Sequence, residues 1–326
     1  AENIRIASSI MAPNGITVEG GTATLDVSFS INTDVLRVTQ GSFELGAGSS
    51  LTVSGDVTVN PGASFIIAPN TVLRLGGNTN ILGVVSGLDL ARIILYGGST
   101  NNFHAPGLTR VLELIIEGSQ TVVNFSEPLN LFVDAVLSVG ENATLNAPEA
   151  WFDLTGASGI QSFSCDGVFS GAGGVIYSGS GSSASFPSLS GNGRIGNMKV
   201  DLRSADDILT AVTGSTNLTL SGRLELVNGY LELNGGDLDF SSDNTTPGLS
   251  LNLTSSNGSN RITDASGISV INASSVPYDL IYTGGLQGIY TPGFELSIGP
   301  VSSFTVLARD VLNDPPVFGI EINEDI

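Results

Sequence analysis

From Leu36 to Leu75 the chain is a run of apolar pairs whose members stand two residues apart: Leu36/Val38, Phe43/Leu45, Leu51/Val53, Val57/Val59, Phe65/Ile67 and Leu73/Leu75. Residues two apart point to one side of a strand, so each pair predicts a short strand with one buried face. Gly, Ser, Asn and Pro fill the gaps and supply the backbone geometries of tight turns. The pairs recur every six to eight residues, which leaves no room for a helix between them.

The same spacing returns in Leu218/Leu220, Leu224/Leu226, Leu231/Leu233 and Leu238/Phe240. One small unit of this kind cannot bury its face alone, whereas stacked units make a continuous core. The pattern therefore predicts an all-β fold, an elongated parallel β-solenoid or β-arcade of short stacked strands. Residues 1–300 form its body, and 301–326 a C-terminal strand and tail. Alternating Leu25, Val27, Phe29 and Ile31 predict one strand, while Leu88–Tyr96 and Val111–Ile116 read as strands buried on both faces. The Gly- and Ser-rich stretch 156–196 still carries Ile160, Phe163, Val168, Val175 and Tyr177, which predicts thin coils rather than a linker. Ser204–Gly214 is the one helix expected, with Ser204 as its N-cap and Asp206 and Asp207 in its first turn.

Composition narrows the function classes. Lys and Arg number 11 against 31 Asp and Glu, a formal charge of −20. Nucleic acid needs a basic footprint and anionic lipid attracts basic segments, so neither is an expected partner. No apolar run reaches the length of a membrane-spanning helix. The single cysteine, Cys165, rules out an internal disulfide, and its alternation with Phe163 points it inward. A start at Ala1 without Met fits either a signal peptide removed in secretion or a fragment.

Catalytic motifs are sparse. His104, the only histidine, reads as a turn residue, and one histidine cannot supply a multi-histidine metal site. Gly191, Gly193 and Gly196 match G-x-G-x-x-G, but that motif holds a pyrophosphate only between a strand and a helix, and here a strand-like MKVDL follows. Asp206 and Asp207 could serve acid–base chemistry but read better as helix N-terminal residues. Asp237, Asp239 and Asp243 read as a solvated strand face. Seven N-x-S/T sequons, at Asn124, Asn142, Asn217, Asn244, Asn252, Asn257 and Asn272, are close to what this composition gives by chance.

The stacked short-strand pattern resembles the β-solenoid bodies of bacterial surface adhesins and secreted passenger proteins. The stretch FTVLARDVLNDPPVF (Phe304–Phe318), followed by INED, resembles the junction between cadherin-like repeats of bacterial adhesins. That resemblance implies calcium as the cofactor, held by Asp310, Asn313 and Asp314. The function expected is that of an extracellular structural protein without catalytic activity. It would be a subunit that self-assembles into a cell-surface layer, sheath or filament, with itself as partner. A stalk or binding segment of a large adhesin, with cell-surface glycans as partners, is the second expectation. A carbohydrate-active β-helix enzyme is the third.

Overall fold

The computed structural model describes residues 3–26, 28–87, 91–125, 130–157, 160–179, 186–204 and 207–228, and beyond these the strands 230–232, 237–240, 248–253, 262–263, 269–273, 278–284, 294–298, 301–307 and 321–322. Among the described residues there is no helix, and strands stack on one another in parallel as a β-solenoid. The chain divides into two compact units, Ala1–Trp151 and Phe152–Ile326.

In the first unit three apolar pairs make one coil. Strand Leu36–Leu45 carries two pairs and Ser50–Val53 the third. In the next coil Val57–Val59 and Ser64–Ile67 both pair with Leu36–Leu45, and Val72–Leu75 pairs with Ser50–Val53. Leu36 faces Val57 and Leu51 faces Leu73, offsets of 21 and 22 residues. Every residue of the six opening pairs is buried. Like therefore stacks on like inside the coil: Phe43 lies over Phe65, ring centroids 6.0 Å apart.

Corners are made by four-residue turns whose third residue has positive φ: Gly48 at 66°, Gln120 at 66° and Asn142 at 60°. Each is closed by a backbone bond across it, from Ser49 to Gly46, Thr121 to Gly118 and Ala143 to Gly140. A sharper constraint sits inside the long strands. Ile16–Leu25 and Leu36–Leu45 bend at Gly21 (φ 71°) and Gly41 (φ 79°), which lie one above the other. A Cβ on Gly41 would stand 2.1 Å from the Gly21 carbonyl oxygen.

The second unit follows the same rule of parallel stacking. Ile160–Cys165 pairs with Phe186–Gly191, which pairs with Ile208–Leu220. Phe163, Cys165, Phe169, Val175 and Tyr177 are buried, so the Gly- and Ser-rich stretch does belong to the stack. The Tyr177 hydroxyl donates to the Ser188 carbonyl at 2.8 Å. The pairs Leu218/Leu220 and Leu238/Phe240 stand in register, as do Leu224 and Leu226 with Leu249 and Leu251.

Two expectations fail. The expected helix at 204–214 does not form over its described residues, 204 and 207–214. Ile208–Leu220 is a single strand, with Leu209 and Ala211 fully buried and partners on both sides. The Asp207 carboxylate accepts from the Ser204 N–H (2.9 Å) in a turn instead of Ser204 capping a helix. The local helix-start signal loses because a strand here fills two ladders and buries an alternating face. Likewise Leu25–Ile31 is not one strand. Strand Ile16–Leu25 ends well before Ser30–Thr33 begins, with Ser28 between them at φ 62°, so Leu25 and Ile31 point inward from two different strands; Val27 lies outside the described residues.

Cys165 is fully buried, and its thiol donates to the carbonyls of Gly167 and Arg194. Burial, with the neighbouring Asp166 adding to it, pushes its pKa from 9.0 up to about 12. Since the thiolate is the reactive form, Cys165 should resist alkylation at neutral pH until the chain unfolds, read by mass after iodoacetamide with and without denaturant. The raised folded value also sets a sign. The unfolded chain ionises first, so this contribution is fully present below about pH 9 and is lost between about 9 and 12.

Candidate functional site

The polar side chains with the most regular placement form columns on the outside of the coils. In the first unit the column is Asp56, Asn78, Asn102, Asn124 and Asn146, one residue per coil. Each stands just before or within a strand whose alternate residues point inward. The Asn78 side-chain amide and backbone N–H donate to Asp56 Oδ1 at 3.3 and 3.0 Å. Asn102 repeats this onto Asn78 Oδ1 at 3.4 and 2.9 Å. Asn124 then donates to Asn102 at 3.2 Å, and Asn146 to Asn124 at 3.1 Å. The second unit has a ladder of its own, in which the Asn192 N–H donates to Asp166 Oδ1 and the Asn217 amide to Asn192 Oδ1, each at 3.1 Å.

Both ladders run one way, every later amide donating to the residue a coil before. Such a chain needs an acceptor at its early end, and Asp56 and Asp166 are carboxylates, which only accept. A one-residue slip between coils would turn every ladder residue inward, so the columns mark the register as well as bonding it. Asn102→Ala removes one donor and one acceptor from the middle of an exposed column. It is expected to cost about 0.5–1.5 kcal/mol in urea unfolding.

Charged groups also reach between coils. Arg92 forks onto Glu113 at 2.5 and 3.1 Å, and these hydrogen bonds raise its guanidinium pKa above the ordinary value. Arg110 meets Asp134 at 3.4 Å and lies over the Phe132 ring at 5.4 Å. Arg5 meets Asp26 at 2.7 Å. Arg74 sits 5.1 Å over Tyr96 and 2.5 Å from Glu117. The last group lines an open groove of about 550 Å³ floored by glycines. Its guanidinium is already committed to a carboxylate and a ring.

The other residues singled out from the sequence are scattered. His104 ends strand Thr100–His104 rather than lying in a turn, and faces Asn80 of the coil before. Gly191 has φ 116°, and a Cβ there would stand 2.1 Å from the Cys165 carbonyl oxygen; one on Gly193 would stand 2.2 Å from that of Gly167. These glycines let one coil approach the next, and the strand Asn197–Asp201 follows them where a dinucleotide site needs a helix. Asp237 and Asp239 align with Asn217 and Thr219. Asp206, Asp243 and the calcium candidates Asp310, Asn313 and Asp314 lie outside the described residues. Among the described residues no three His, Cys, Asp or Glu side chains converge as a metal site would require, and no helix is long and apolar enough to cross a membrane. Apart from Asn124 and Asn217, noted only as sequon residues, the ladder residues went unremarked in the sequence. Their signal was a single Asx recurring at the coil period, which is invisible until that period is known. Compared with known proteins, the chain matches no family model, no curated sequence and no solved structure.

Proposed function

We propose that this chain is an extracellular structural protein that self-assembles into a cell-surface layer, sheath or filament. The observation that supports this reading is where its polar chemistry goes. Among the described residues, the Asx ladders and the Arg–carboxylate pairs all join one coil to another, so these polar side chains hold the stack in register. A parallel stack is also open to growth, because an unpaired strand edge templates another strand.

The test is negative-stain imaging and sedimentation of the purified protein across a concentration series, with calcium and with a chelator. Ordered polymers are expected. Monodisperse particles at every concentration in both conditions would overturn the assembly reading, and isolated rods among them would favour the stalk of an adhesin. Polymers that dissolve on chelation would point to calcium at the tail residues Asp310, Asn313 and Asp314.

A further inference from the structure

We propose that Asn142 is the acceptor of an N-linked oligosaccharide, an inference that rests on the extracellular part of the reading above. Seven sequons are too many to choose among by motif alone, but the fold separates the three whose side chains it describes, Asn124, Asn142 and Asn217. Asn124 and Asn217 lie in strands, and their side-chain amides are spent in the ladders, donating to Asn102 and Asn192 at 3.2 and 3.1 Å. A sugar on either nitrogen would break its column and stand between coils.

Asn142 differs on every point. It is the third residue of the turn from Gly140 to Ala143, with φ 60°, and it is exposed together with Glu141. Its backbone carbonyl accepts from the Gln120 N–H at 2.9 Å, which anchors the turn to the preceding coil. Among the described residues the side-chain amide has no hydrogen-bond partner. On that preceding coil Gly118, Ser119 and Gln120 are exposed too, so the corner beside Asn142 is open. Ala143 is buried, which holds the acceptor's chain direction, and Thr144 supplies the sequon hydroxyl two residues on.

The donor is an oligosaccharide carried on a lipid pyrophosphate. The Asn142 side-chain nitrogen forms a bond to the anomeric carbon, the carbon–oxygen bond to the pyrophosphate breaks, and the nitrogen's proton leaves with the departing lipid pyrophosphate. No oxidation or reduction occurs. A glycan on this corner adds bulk to the outside of one turn and leaves the ladders and the core untouched.

The full chain, directed through the secretory route of a eukaryotic host, provides the test. Folded secreted protein is treated with peptide N-glycosidase in heavy-oxygen water and its peptides are weighed. Asn142 is expected to carry the label while Asn124 and Asn217 do not. Asn142→Gln should lose the mass of one glycan and keep its unfolding midpoint. A bare Asn142 in folded secreted protein, or label at Asn124 or Asn217 in its place, would overturn the proposal. Assembly is measured separately on the same material. Polymers with a bare Asn142 sink this proposal alone, and glycosylated monomers sink only the assembly reading.

Discussion

Phe65→Ala is expected to cost about 3–5 kcal/mol, the loss that emptying a fully buried aromatic site brings. Phe65 is 1% exposed, and its column runs Ala23, Phe43, Phe65 and Val85 through four successive coils. Ala23 beside Phe43 is small, so Phe43 and Phe65 fill the interior together, and removing one ring leaves the other beside a cavity that rigid neighbouring coils cannot close. Coils touch mainly their nearest neighbours, so the damage should stay local. Urea unfolding followed by far-ultraviolet circular dichroism is expected to show an earlier, shallower transition, as coils on either side of the cavity come apart at different concentrations. A midpoint within error of the parent would mean that the rings do not carry the interior.

Gly41→Ala adds one methyl group and should still cost about 2 kcal/mol or more. Two effects combine. A φ of 79° is disfavoured for any residue with a Cβ, and the new carbon would stand 2.1 Å from the Gly21 carbonyl oxygen. The clash is with backbone, so no side-chain rotation relieves it. Gly62→Ala makes the matched control: its φ is 84°, but nothing lies within 4 Å of the added carbon. The difference between the two midpoints isolates the coil-to-coil approach from the conformational cost. Equal losses would show that the stacking distance at Gly41 is not limiting.

These two expectations draw on different sources. The aromatic column could be placed inside the fold from spacing alone, because a pair of apolar residues two apart has only one way to bury both side chains. Gly41 could not be distinguished from its 41 fellow glycines, since its importance lies in Gly21, a residue of another coil. The same holds for the Asx ladder. Asn78 and Asn102 look like ordinary turn and strand residues until the register brings them together.

The failed helix at Ser204–Gly214 makes the complementary point. Ser204 with Asp206 and Asp207 is a sound local argument for a helix start, and an isolated peptide could follow it. In the folded chain, Leu189 on one side and Leu231 on the other offer Ala211 and Leu209 a parallel partner, and each strand hydrogen bond gained there is a bond the helix would forgo. Tertiary pairing decided between two locally acceptable states.

By itself the sequence determined that the chain builds short strands with one apolar face, and the recurrence of those strands pointed to stacking, because one small unit cannot bury its face alone. Only the tertiary structure decided that three pairs close one coil, that Leu36 therefore lies on Val57 and Leu51 on Leu73, and that Asp56 begins a polar column. The reason is physical. Having a face to bury is a property of each strand's own sequence, whereas register is a property of two coils, 21 residues apart at Leu36 and 22 at Leu51, settled by which side chains and carbonyls fit when they meet.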